Sequence, residues 1–163
     1  MSVLNIQAID VHAHYGSYVS KLVKHSEWCM TGDASVVVER ARVARTQWTI
    51  ASPLLALFPR GGADSALGNE EAARVVPQTP GLLQYVVVHP LQPRTFDQAR
   101  QMMRAPTCVG LKFHPEEHRY PIKEHGAKLF ALAAELKAVV LVHSGEPLSL
   151  PMITSRSPMS SPR

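Results

Sequence analysis

Cysteine is scarce in this chain, aromatic residues are few, long apolar runs are lacking, and charge of neither sign dominates. Cys29 and Cys108 are the only cysteines in 163 residues. That is too few for a disulfide scaffold, and their spacing is not that of a cysteine zinc site, so reduced, inert thiols are expected. Aromatics make up 6% of the chain, and Lys and Arg are scattered singly among them. No basic stripe emerges, so nucleic acid is not the expected partner despite a sequence pI near 9.3. No apolar stretch approaches the roughly 18 to 20 residues that a bilayer requires. The opening MSVLNIQAIDVHAHYG lacks the basic start, apolar stretch and small-residue cleavage site of a secretory signal. A cytoplasmic protein with no membrane partner is therefore expected. What remains, +4 net charge with 45% hydrophobic and 18% charged residues, is an ordinary globular composition with enough apolar content for a packed core.

Five short apolar runs, rich in β-branched residues, read as buried strands: Val3 to Val11, Trp48 to Ala51, Leu83 to Val88, Val109 to Phe113 and Val139 to Val142. Helical signals lie between them. Ser35 to Arg45 carries Val36, Val37, Arg40, Val43 and Ala44 at helical spacing, with a capping residue offered by Asp33 to Ser35, and a second helix is expected over Asn69 to Val76, stopped by Pro77. Thr95 and Gln98 fit a capping box for a helix to about Arg104. Pro121 opens a helix in which Ile122, Leu129, Phe130, Ala133 and Leu136 share one face. The alternation predicts an α/β protein with a parallel sheet, and strands followed by His-, Pro- and Gly-rich loops are the pattern of a TIM-type (β/α) barrel. About five βα units fit in the length, against the eight and roughly 250 residues of a complete barrel. The expectation is a partial barrel domain over residues 1–146 and an irregular or disordered tail over 147–163, whose sequence is dominated by Ser and Pro. A barrel of five units exposes sheet edges, so a homo-oligomer formed through those edges, or a non-catalytic fragment, is an alternative to an active enzyme.

The residues with chemical potential sit at the strand ends. In Asp10-Val11-His12-Ala13-His14-Tyr15-Gly16, His12 and His14 alternate on a strand and so share a face, where two neutral imidazoles suit zinc or another nitrogen-preferring divalent ion. The same spacing equally serves packing at a strand end. His143 closes the fifth run. In Cys108-Val109-Gly110-Leu111-Lys112-Phe113-His114-Pro115, Lys112 and His114 alternate with Leu111 and Phe113. If the apolar pair packs under helices, Lys112 and His114 face the interior. Lys112 then serves as an electrostatic anchor for a small-molecule substrate or, if carboxylated, as a metal bridge; an extended side chain reaching solvent is the bland alternative. His89 is a further candidate for the pocket wall. Asp10 is assigned a supporting role behind His12, and Glu116-Glu117-His118-Arg119 reads as a solvated loop.

DVHAHYG, GNEEAARVV followed by LLQYVVVHP, GLKFHP and LVHSGEP together resemble the amidohydrolase superfamily, in the branch that also holds aminocarboxymuconate-semialdehyde decarboxylase-like enzymes. The resemblance implies a distorted (β/α) barrel that uses a divalent metal, commonly zinc, to activate water for hydrolysis of a C–N or C–O bond or, in some members, to support decarboxylation. It further implies His12 and His14 as first-strand ligands, His143 as the ligand after the fifth strand, and Lys112 at the position where several relatives carry a bridging carboxylated lysine. One metal is more usual in this branch. The later-strand histidine and aspartate of the family have no match in this chain.

Overall fold

The computed structural model describes residues 7–16, 32–58, 60 and 62–144. Val3 to Ile6 of the first expected run, Cys29 and the tail over 147–163 lie outside the described residues. Five strands form one parallel sheet: β1 (Ala8–Tyr15), β2 (Thr46–Pro53), β3 (Leu82–Val87), β4 (Cys108–Phe113) and β5 (Val139–Val142). Their spatial order, β1-β2-β3-β4-β5, is the order of the chain, as consecutive βα units require. The helices between them are α1 (Ala34–Val43), α2 (Leu54–Leu57), α3 (Ser65–Val75), α4 (Arg94–Met102), α5 (Pro115–His118) and α6 (Ile122–Leu136). The sheet curls into a half-barrel. In a flat sheet β1 and β4 would stand about 14 Å apart, three spacings of roughly 4.8 Å, yet the Lys112 Nζ of β4 lies 3.3 Å from His12 Nε2 of β1. Only a curved sheet brings them together.

Alternation along β4 works as the pattern predicts. Leu111 and Phe113 enter a core cluster with Leu129, Leu132 and Ala133 of α6, and Lys112 is carried to the concave side. A second cluster joins Tyr15, Ala51 and Leu82 to Ala34 and Val38 of α1 and Ala72 of α3. Several local expectations are corrected. The first strand carries His12 and His14 as expected but runs on to Tyr15, past the Val11 end of the apolar run, and its register slips between Asp10 and Ala13. Asp10 Oδ1 accepts a bond from the His12 backbone N–H, satisfying a donor next to that irregularity. In α1 the buried residues are Ala34 and Val38, while Val43 is 82% exposed. α6 buries Gly126, Leu129, Leu132 and Ala133, leaving Ile122 and Phe130 at the surface.

The expected capping box of α4 is not formed. Thr95, wholly buried, instead donates to the carbonyls of His89 and Gln92 and accepts from the His89 N–H, while Gln98 reaches Asn69 and the Ala66 carbonyl. Tertiary partners outcompete the helix end for both side chains. α3 starts before Asn69 because Asp64 caps it, accepting from the Leu67 N–H. Buried Asn69 then ties α3 to the sheet by donating to the Val87 carbonyl and accepting from the Val87 N–H.

Among the described residues no helix is long and apolar enough to cross a membrane. The last strand joins the sheet at a close backbone approach: a Cβ on Gly110 would stand 2.2 Å from the Val139 carbonyl oxygen, and Gly110 and Val139 are paired in the β4–β5 register. Gly110→Ala is expected to push β5 off and lower stability by about 1 to 3 kcal/mol, measured as a lower urea midpoint with an unchanged slope.

Candidate functional site

The concave side of the half-barrel gathers side chains from β1, β4 and the loop after β5. His12 and His14 share a face despite the register slip, with ring centroids 5.2 Å apart in an edge-to-face arrangement. Lys112 is completely buried and directs Nζ at His12 Nε2. An ammonium has only donors, so His12 accepts at Nε2. The His14 Nδ1 lies 3.2 Å from the Ser52 carbonyl, which makes Nδ1 the protonated nitrogen and leaves the Nε2 lone pair free. His143 follows β5, its backbone N–H bonded to the Phe113 carbonyl, and its ring stacks on His114 at 4.1 Å and 12°.

His114 is buried, and its Nδ1 accepts from the Glu117 N–H, so the ring caps α5 and carries its own proton on Nε2. That short helix corrects the expected solvated loop. Glu117 and His118 are 8% and 3% exposed, because α5 turns inward under the His114 cap and Arg119 ends it in the left-handed conformation at φ 52°. Glu116 stands beside His143, Oε2 to Nε2 3.3 Å. Arg60, from the segment after α2, donates to both acids, with Nη2 2.6 Å from Glu116 Oε1 and 2.6 Å from Glu117 Oε1. Glu116 and Arg60 were missed by sequence reading. Only the Pro115-Glu116-Glu117 start, with proline and acids where a helix N-terminus favours them, hinted at α5.

Beside this group lies a second pair. His89 stacks on His118 at 4.4 Å, and its Nδ1 accepts from the Leu91 N–H. His118 Nε2 sits 3.0 Å from the Ala56 carbonyl, to which Ser65 Oγ also donates. This makes His89 a wall of packed rings behind the site. Cys108 is a buried free thiol, and burial pushes its pKa up to about 11, the inert state expected of it.

Burial dominates the electrostatics. It lowers the pKa of Lys112 to about 8 and is the leading cause of lowered values at His14, about 4, at His118, about 4, and at His114, about 2. The hydrogen bond to Ser52 opposes the shift at His14, and the positive charge of Lys112 adds to it at both His14 and His114. His12 is lowered by burial and then by Lys112, with Asp10 opposing. The His12, His14, His114 and His118 rings are thus neutral near pH 7, the state in which nitrogen binds a metal.

The donor chemistry suits a nitrogen-preferring divalent ion: His14 presents a free Nε2, and His12 already turns its Nε2 lone pair to a cation, the Lys112 ammonium. The set is not closed, however. Among the described residues no three His, Cys, Asp or Glu side chains lie together closely enough to hold an ion. Compared with models of protein families and with curated proteins, the chain matches none.

The lowered histidines make stability fall on acidification. The unfolded chain takes up protons near pH 6.5 and the folded chain only near 4 or below, so the unfolded state binds more protons across that window. Stability contributed by neutral His14, His114 and His118 is whole above pH 6.5 and is lost as pH drops through about 4. Urea unfolding between pH 7 and 4 is expected to show uptake of roughly three protons at its steepest, reduced by one in His118→Gln.

Proposed function

We propose that this concave site belongs to a metal-dependent hydrolase of the amidohydrolase type, acting on an ester, amide or lactone bond of a small molecule. The observation that carries the reading is the pair of tautomers on β1: His14 donates Nδ1–H to the Ser52 carbonyl and so keeps its Nε2 lone pair, while His12 turns its own Nε2 lone pair to the Lys112 cation. A backbone carbonyl on the far ring nitrogen is the usual device that aims a metal-binding histidine. His12 and His14 would hold the ion, zinc being the first choice, and His143 would join them only by moving toward the pair, since no three such side chains lie together among the described residues. When bound, such an ion supplies Lewis acidity toward water and a carbonyl oxygen.

The chain's own residues do the rest. Asp10 holds the His12 backbone N–H, Lys112 offers a buried positive charge to an anionic group of the substrate, and His114, its Nδ1 engaged by α5, presents only an Nε2–H donor to the pocket. The buried free thiol of Cys108 is in keeping with a reducing, cytoplasmic setting.

Metal-stripped protein is expected to take up one equivalent of zinc by elemental analysis, with a raised unfolding midpoint and newly gained hydrolysis of a test ester. His12→Ala and His14→Ala each abolish the uptake. Lys112→Met retains zinc but raises KM for an anionic ester by about tenfold or more. Failure of the wild-type chain to bind zinc overturns the reading. Carbon dioxide release without hydrolysis assigns the site to the decarboxylase chemistry of the same superfamily.

A second reading concerns assembly and rests on the sheet edges. Ile9, Val11 and Val139 on the two edge strands are 57%, 54% and 63% exposed, and among the described residues both strands have a neighbour on one side only. We propose that two copies pair β1 of one with β5 of the other, which hides apolar surface and satisfies both edges. Sedimentation equilibrium is expected to give a dimer, and a monomer throughout the micromolar range overturns the pairing.

A further inference from the structure

The acids of α5 have no place in the metal-and-lysine reading, yet they are the most strongly engaged charged groups around the site. Glu116 is one-tenth exposed. Its two oxygens are divided between two partners: Oε1 takes the Arg60 guanidinium at 2.6 Å, and Oε2 faces His143 Nε2 at 3.3 Å. Arg60 is in turn anchored on Glu117, from Nε at 3.1 Å and Nη2 at 2.6 Å. The placement of α5 itself is set by the His114 ring, which accepts from the Glu117 N–H and lies parallel to His143. His143 is therefore constrained on three sides: by its backbone bond to Phe113, by the stacked face of His114, and by a carboxylate at one ring nitrogen.

A carboxylate accepts only. A lone pair turned to that carboxylate at 3.3 Å would be repelled, so the charge contact favours the proton on Nε2, and in a neutral imidazole the other nitrogen then holds the lone pair. We propose that Glu116, steadied by Arg60, is a positioning residue that fixes His143 as the Nε2–H tautomer and reserves Nδ1 as the nitrogen that binds a ligand. β1 and β5 would then present opposite nitrogens: His14 is protonated on Nδ1 and offers Nε2, whereas His143 is protonated on Nε2 and offers Nδ1. That a divalent ion is what His143 Nδ1 binds rests on the function proposed above; the tautomer assignment does not.

The test exploits the difference between a carboxylate and an amide. In Glu116→Gln the new side chain is nearly isosteric, its carbonyl oxygen stays with Arg60, and its NH2 turns to His143. A donor now stands where an acceptor stood, so the ring should invert to Nδ1–H. In the metal-free protein, long-range 1H–15N correlation spectra of 15N-labelled imidazoles report which nitrogen is protonated. The expected result is Nε2–H for His143 in the wild type, Nδ1–H in Glu116→Gln, and loss of preference in Glu116→Ala, with His14 remaining Nδ1–H in all three. A His143 ring that keeps one tautomer through both substitutions overturns the proposal. Zinc chloride titration by calorimetry supplies a second readout: Glu116→Gln should bind about 10- to 100-fold more weakly than wild type, and equal affinity overturns the role toward a metal. If the wild type binds no zinc while the tautomer inverts as expected, the metal reading fails and the positioning role of Glu116 stands.

Discussion

The concave side of this half-barrel is organised around one buried ammonium. Lys112 has no exposed surface, and its Nζ reaches across the curve of the sheet to an imidazole on β1. A charged amine removed from water needs acceptors close by, and the sheet meets that need by curling until His12 comes within reach. Its neighbours follow. Histidines that share a desolvated space with a cation are driven to the neutral form, and neutral rings have one donor and one acceptor nitrogen each, so every tautomer is dictated by what stands beside it.

This logic links three loops that are distant in sequence. Ser52 at the end of β2 selects the proton position on His14, and α5 after β4 is capped by His114 while supplying the carboxylate beside His143. Arg60 after α2 spans both acids of α5. The stack of His118 on His89, with His118 held at the Ala56 carbonyl where Ser65 also donates, fastens α5 to the α2–α3 segment from behind. Short helices of four residues are not stable alone. Here α2 and α5 persist because each is pinned by buried side chains from other elements.

Much of the scaffold was legible from pattern. The last four strands and the four longer helices fall near where apolar periodicity and the breakers Pro77 and Pro121 suggested, and the first strand overlaps its expected run over Ala8 to Val11, because burial on a pleated or helical surface imposes period 2 or 3.6 on the sequence itself. The alternation at Leu111, Lys112 and Phe113 was enough to predict that the lysine turns away from the helices. What escaped is equally specific. The face buried by α1 is led by Ala34 and Val38, and small alanines carry little hydrophobic signal. Thr95 and Gln98 have the spacing of a capping box, but buried partners in the β3–α4 loop and on α3 offer each side chain a better bond. Glu116, Glu117 and His118 look solvated in sequence because charged residues usually are; Arg60 and the His114 cap draw them inward.

Sequence alone determined the strand and helix periods, the Lys112 alternation, and the pairing of His12 and His14 on one strand face. Those follow from neighbours along the chain, and local geometry carries them. Which nitrogen each ring offers, and that Arg60 and Glu116 belong to the site, were decided by tertiary structure alone. A proton's position on an imidazole depends on the group facing it across space, and here those groups, Ser52, Lys112 and Glu116, come from segments that only the curl of the sheet brings together.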